Sequence, residues 1–201
     1  MLIDELLPAY DVSDSVATTV GADRQTTWEA LLGVDLIEVG RLKPLIGALG
    51  AARMLPELAV HLLHGERLPQ APDRMTLVDT TEALADEGGW VLLGERPGEE
   101  IALGLVGRFW RPVIEYATVE PEEFDAFDEP GWAKTVYALS ARALGPASTL
   151  LEGTMRTATT DEHARRWFRR YWTFGVGSGA HVLVQGLLDV ARDEAESQPR
   201  G

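Results

Sequence analysis

From Ala164 to Ala191 the chain carries an apolar stripe at three- and four-residue spacing: Ala164, Trp167, Phe168, Tyr171 and Phe174, then Ala180, Leu183, Val184, Leu187, Leu188 and Ala191. That spacing predicts a helix with one apolar face, which must be buried against another element. The chain ahead of it offers strands. Trp90 to Glu95 and Glu100 to Trp110 flank the turn sequence Arg96-Pro97-Gly98 and read as a hairpin. Trp132 to Leu144 and Thr149 to Thr157 flank Gly145-Pro146-Ala147-Ser148 and read as a second. Hairpin-connected strands with segregated helices predict an α+β fold, a curved antiparallel sheet gripping the last helix. Gly175-Val176-Gly177-Ser178-Gly179 interrupts the stripe, so that helix is expected to be broken.

The remaining elements follow from local signals. Tyr10 to Val20 is rich in Val and Thr and ends at Gly21, which reads as a strand. Thr26-Thr27-Trp28-Glu29 and Thr159-Thr160-Asp161-Glu162 are Thr-x-x-Glu boxes, and Asp79-Thr80-Thr81-Glu82 is a further helix-capping signal. Arg41 to Gly65 reads as two short helices, with Pro44 and Pro56 in their first turns. Val113 to Val119 reads as a short strand, and Pro121 to Phe127 as a helical turn with Pro at its first position. No linker divides the chain, so one domain is expected over 1–201, frayed from about Ser197.

Composition then removes whole classes of function. Lys and Arg number 18 against 32 Asp and Glu, a formal net charge of −14. A surface this acidic repels phosphate backbones and anionic lipid, so neither a nucleic-acid partner nor non-specific membrane-surface binding is expected. Cysteine is absent, which excludes disulfides, a thiolate zinc site and a Cys nucleophile. No run approaches ~20 uninterrupted apolar residues, so no stable membrane insertion is expected. The start, Met1-Leu2-Ile3-Asp4-Glu5, does not read as a secretory signal, and the expected location is cytoplasmic. No Gly-x-Ser-x-Gly elbow, Gly-x-Gly-x-x-Gly loop or Walker A sequence occurs, and no cofactor is expected. His61 and His64, with Glu66 near them, lack a third ligand at a recognised spacing, so no metal site is expected.

The element order, together with Gly104-Leu105-Val106-Gly107-Arg108-Phe109-Trp110, Phe127-Asp128-Glu129-Pro130-Gly131 and Phe168-Arg169-Arg170-Tyr171-Trp172, resembles the START/Bet v 1-like (SRPBCC) superfamily over roughly residues 8 to 195. That superfamily includes polyketide cyclase/dehydrase-like and lipid-transfer-like proteins. Within it the chain is similar to a small actinobacterial group. The resemblance implies a helix-grip fold with a cavity between sheet and last helix, and an apolar or amphipathic small molecule as ligand. The glycine break departs from the usual single long helix.

Candidate contacts follow from residue type. Trp90, Trp110, Trp132, Trp167 and Trp172 fall on strands or the last helix, where a flat apolar ligand could stack; ordinary core packing is the competing reading. Glu152 and Arg156 share one strand face, and Arg108 shares one with Trp110. Turned inward, these charges or Glu95 would anchor a headgroup or serve as acid or base; turned outward, they form surface ion pairs. The expected ligand-contacting set is Arg108, Trp110, Trp132, Glu152, Arg156, Trp167 and Tyr171. His181, just after Gly179, can reach a cavity end, with no partner evident from sequence. Residues 100–110 are apolar on both faces, so something besides one cavity must cover them, and a second copy of the chain is one candidate.

Two basic islands stand out in an acidic chain, Arg41–Arg53 and Arg165–Arg170. The segment Arg41–Gly65, which holds the first, is either a lid that opens and touches a membrane or partner carrier, or a helix pair closing the core. Three functions are consistent with these residues. The favoured one is a carrier or sensor of a lipid-like or aromatic molecule. The alternative is a cyclase- or dehydratase-type enzyme using the same cavity, and the third is an interaction protein.

Overall fold

The computed structural model describes residues 1–37, 39, 76 and 89–198. In chain order the elements are α1 (Leu2–Leu6), β1 (Val12–Val20), α2 (Arg24–Gly33), β2 (Val91–Arg96), β3 (Glu100–Arg108), β4 (Glu115–Ala117), β5 (Ala133–Gly145), β6 (Ser148–Thr159), α3 (Glu162–Tyr171) and α4 (Gly177–Ser197). A 3-10 turn at Pro121–Glu123 precedes β5, and a π-helical turn at Trp172–Val176 joins α3 to α4. The expected helices in Arg41–Gly65 and at Asp79–Glu82 lie outside the described residues.

All strand pairings are antiparallel. The sheet runs β1-β6-β5-β3-β2, and β4 pairs with the end of β3 beyond β2. Both expected hairpins form. In the first, Pro97 is followed by Gly98 at φ 75°, and the Glu99 amide donates to the Arg96 carbonyl at 2.9 Å. A Pro-Gly pair with positive φ on its glycine is what a type II turn requires. Strand β3 ends at Arg108, so Trp110 lies in the turn beyond it.

Two helix starts differ from the Thr-x-x-Glu reading. Asp23, not Thr26, caps α2: its carboxylate accepts from the Thr26 amide at 3.1 Å and the Thr26 hydroxyl at 2.8 Å. Asp161, not Thr159, caps α3, accepting from the Ala164 amide at 2.7 Å. An aspartate adds negative charge to the same capping geometry, which the positive end of a helix favours. Thr159 ends β6 instead and gives its amide and hydroxyl to Asp11 at 2.8 and 2.6 Å.

The glycine run bends the last helix without separating it from α3. The two arms, Glu162–Phe174 and Gly179–Ser197, meet at 62° through the π-helical turn. Gly177 permits the packing there, because a Cβ on it would lie 2.7 Å from Cε2 of Trp172. No single helix among the described residues is long and apolar enough to cross a membrane.

The sheet is covered on both faces. Helix α4 lies across β1 and β6, with α2 against it; Val16, Leu103, Leu139, Leu151, Val184, Leu187 and Leu188 form the core between. The two-faced strand β3 finds its second cover within the chain. Ala102 and Val106 pack with Val136 and Ala138 against Ile3 and Leu7 of the α1 segment and Phe124 after the 3-10 turn. Polar contacts pin α1 there. Glu100, 4% exposed, accepts from the Leu2 amide at 2.8 Å, and Arg96 bridges Glu100 and Glu5. The result is the α+β helix-grip arrangement, one antiparallel sheet holding a bent C-terminal helix.

Candidate functional site

The helix-facing side of the sheet changes character along its length. Near α2 it is closed, with Val20, Leu31, Leu151 and Leu188 fully buried. Toward α3 it becomes aromatic and partly open. The ring of Phe168, itself buried, lies 6.4 Å from Phe109, 6.0 Å from Tyr171 and 5.9 Å from Trp172, the last stacked at 29°. Trp90 meets Tyr137 edge-on at 6.2 Å. Trp90, Trp110, Tyr137, Tyr171 and Trp172 are half-buried rather than sealed. Rings fixed by packing but open on one side make a wall on which a flat apolar molecule can lie.

Tyr137 sits in this wall with an unmet need. Its hydroxyl is shut off from solvent and has no hydrogen-bond partner among the described residues. Burial, and secondarily the negative charge of Asp14, push the phenol far above its ordinary range. The neutral phenol is therefore a donor held in an apolar setting. Asp14 and Tyr137 lie in one row across the sheet, opposite Met155 of β6 from either side.

Asp14 also has a partner on the last helix. The Nδ1 of His181 lies 2.9 Å from Oδ2 and 3.1 Å from Oδ1 of Asp14. A carboxylate only accepts, so Nδ1 is the donor of this pair, and in the neutral ring Nε2 is then the acceptor. No partner for Nε2 is found among the described residues. The pair borders a cleft of about 490 Å³ between the edge strand and the helix elbow, lined by Ser13, Asp14, Trp172, Thr173, Gly177, His181 and Val182. An imidazole oriented by a carboxylate at the edge of a cleft can accept or deliver a proton.

The candidates named from sequence do not converge on one place. Tyr171 and Trp110 join the aromatic cluster around Phe168. Arg108, Trp132, Glu152 and Arg156 lie on the opposite face, because side chains alternate along a strand and the odd-numbered residues of β5 and β6 meet the helix. There Arg108 pairs with Glu115 at 2.8 Å, and its guanidinium lies 4.2 Å from the ring of Trp132. Arg156 donates to the Ile3 and Leu7 carbonyls at 3.2 and 3.3 Å and pairs with Asp4 at 2.7 Å, so it clamps α1. Glu152 borders a second cleft of about 340 Å³ on that face, among Arg24, Arg96, Glu99, Glu100 and Arg142. Trp167 is 44% exposed on α3, beneath Arg170 at 5.2 Å.

Tyr137 and Asp14 were not singled out from sequence. For Asp14 a signal existed: Val12, Asp14, Val16, Thr18 and Val20 share a face, and one acid interrupts a row of valines and a threonine. His61, His64 and Glu66 lie outside the described residues, and no metal-binding cluster occurs among those described.

No protein-family model matches the chain, and no curated protein matches it. Three solved structures are similar in outline. A conserved protein from Geobacillus kaustophilus gives a TM-score of 0.40 at 10% identity, over 92% of this chain and 95% of that one. CalU16 from Micromonospora echinospora gives 0.29 at 12% identity, over 92% and 84%. The di-domain ARO/CYC BexL from the BE-7585A biosynthetic pathway gives 0.36 at 14% identity, over 97% and 54%.

Proposed function

We propose that this chain binds an apolar or amphipathic small molecule against the aromatic, helix-facing wall of its sheet, as a carrier or sensor. The observation that carries the reading is the buried hydroxyl of Tyr137, without a hydrogen-bond partner among the described residues. A buried polar atom without a partner is rare in a native fold and needs a reason. A ligand with one acceptor among apolar atoms supplies it: its body lies on Trp90 and the Phe168 cluster, and its acceptor receives a hydrogen bond from the phenol. Gentle extraction of the purified protein followed by mass spectrometry tests this directly. A retained apolar compound, bound about tenfold more weakly by Tyr137→Phe, is the expected result. If no compound is retained and the dye 1-anilinonaphthalene-8-sulfonate is not bound either, the reading fails.

A second reading, a cyclase- or dehydratase-type step on a polyketide-like or aromatic substrate, is favoured by the Asp14–His181 pair. There His181 Nε2 would take a proton from the bound molecule while Asp14 stabilises the resulting imidazolium. Conversion of a bound aromatic substrate by wild type, with His181→Gln retaining binding and losing turnover, is its signature.

A further inference from the structure

Helix α3 reads Glu-His-Ala-Arg-Arg-Trp-Phe-Arg-Arg-Tyr, four arginines against one glutamate in a chain of net charge −14. Arg165 is neutralised within the fold by Asp11 and Glu162, at 2.7 and 3.0 Å. Arg166, Arg169 and Arg170 have no carboxylate partner among the described residues, and all three are exposed. With acids in such excess, three neighbouring arginines without a carboxylate partner among the described residues form a local positive surface.

Aromatics share that surface. His163, Trp167, Arg170 and Phe174 follow at four-, three- and four-residue steps, which places them along one side, with Arg166 beside them and Arg169 on the flank. Trp167 is 44% exposed and Phe174 86%. Phe174 lies in the π-helical turn, at the elbow where the two helical arms meet at 62°. The patch thus ends in a projecting ring.

We propose that the outer face of α3 and this elbow dock the protein on an anionic phospholipid surface. Phe174 and Trp167 enter the headgroup layer, and Arg166, Arg169 and Arg170 meet lipid phosphates. Arginine beside Trp and Phe on an exposed helix face is the composition of an interfacial anchor. The patch projects at an elbow, which favours a lipid surface over a protein partner: headgroups part around a projecting ring, whereas a protein needs a matching pocket. The acids elsewhere oppose docking little, since at physiological salt a charge is screened beyond ~8 Å. The inference concerns an outer surface and does not depend on a bound ligand.

Co-sedimentation with vesicles tests it. The full chain is expected to pellet with phosphatidylcholine vesicles containing phosphatidylserine, to pellet poorly with pure phosphatidylcholine, and to be released by high salt. The triple variant Arg166→Gln/Arg169→Gln/Arg170→Gln should lose about two orders of magnitude in partitioning, roughly fivefold per arginine. Phe174→Ser should also weaken binding while circular dichroism stays unchanged, since Phe174 has little to lose from the core. Equal binding to both vesicle types, or an unaffected triple variant, overturns the proposal. Capture by poly-glutamate without vesicle binding overturns it in favour of an acidic protein partner.

Discussion

His181 on the C-terminal helix is joined to Asp14 on the edge strand through Nδ1, 2.9 Å from one carboxylate oxygen and 3.1 Å from the other. The side chains are 49% and 26% exposed, so solvent screens much of their attraction. Exposed pairs of this kind contribute about 0–1 kcal/mol, and His181→Gln or Asp14→Asn should leave thermal stability nearly unchanged. A fall in melting temperature equivalent to more than about 2 kcal/mol would make the pair a structural tie and remove the acid–base reading.

Tyr137 predicts an alkaline limit to stability. Its folded pKa is raised above the ordinary value of 10.0, chiefly by burial. The stabilisation is fully present below about pH 10, where folded and unfolded chains both carry the neutral phenol. Above it the unfolded chain loses the proton first, and stability should fall by up to ~1.4 kcal/mol per pH unit. Denaturant melts of wild type and Tyr137→Phe between about pH 9 and about pH 11 should diverge in slope. Parallel profiles would show that the phenol is not held neutral by the fold.

Arg156 predicts an acid-side dependence. A hydrogen bond from its guanidinium, then one from the Met1 ammonium, hold the Asp4 carboxyl below the usual 3.8, with the Arg156 charge a smaller contribution. For a depressed carboxylate the stabilisation is present above the unfolded value and lost as pH falls through the folded one. Below about pH 4, α1 should therefore loosen before the sheet does. Arg156→Met removes the donors to the Ile3 and Leu7 carbonyls as well, and should cost about 2 kcal/mol. Hydrogen exchange confined to residues 2–7 would show the effect, and protection unchanged in the variant would remove the clamp assigned to Arg156.

The strands were legible because alternation and β-branching are local. Gly98 and the two hairpin turns carry their own signals, and the glycine run correctly marks a change in the last helix. Facing was only half legible. That Glu152 and Arg156 share a side follows from the strand period, but which side meets α4 depends on contacts far apart in sequence. Helix α1, at Leu2–Leu6, is too short to show a period, yet it covers the second face of β3 and takes up Arg156. The glycine run by itself shows only an interruption, whereas Trp172 against Gly177 turns it into a π-helical bend, a contact that side-chain spacing alone does not encode.

Gly153 sets the distance between sheet and helix, and its replacement gives the sharpest packing prediction. A Cβ at this position would lie 2.6 Å from Cγ1 of Val184 and 3.2 Å from Cδ2 of Leu139. Val184 is 4% exposed on α4 and Leu139 1% on β5, so neither can swing into solvent. Gly153→Ala must push α4 off the sheet or force its neighbours from their rotamers, a change that typically costs 1–3 kcal/mol, taken as about 2. The compensating variant is Val184→Ala, which removes the methyl that is struck. Alone it leaves a small cavity and destabilises; combined with Gly153→Ala it should cost clearly less than the two separate losses added, since the new methyl occupies vacated space. Additive losses would place the strain elsewhere. The same Cβ would stand 3.7 Å from the Tyr137 hydroxyl. Gly153→Ala should therefore also set a methyl in van der Waals contact with this buried donor, where a ligand's acceptor would approach, and weaken retention of an apolar ligand more than Val184→Ala does at equal stability.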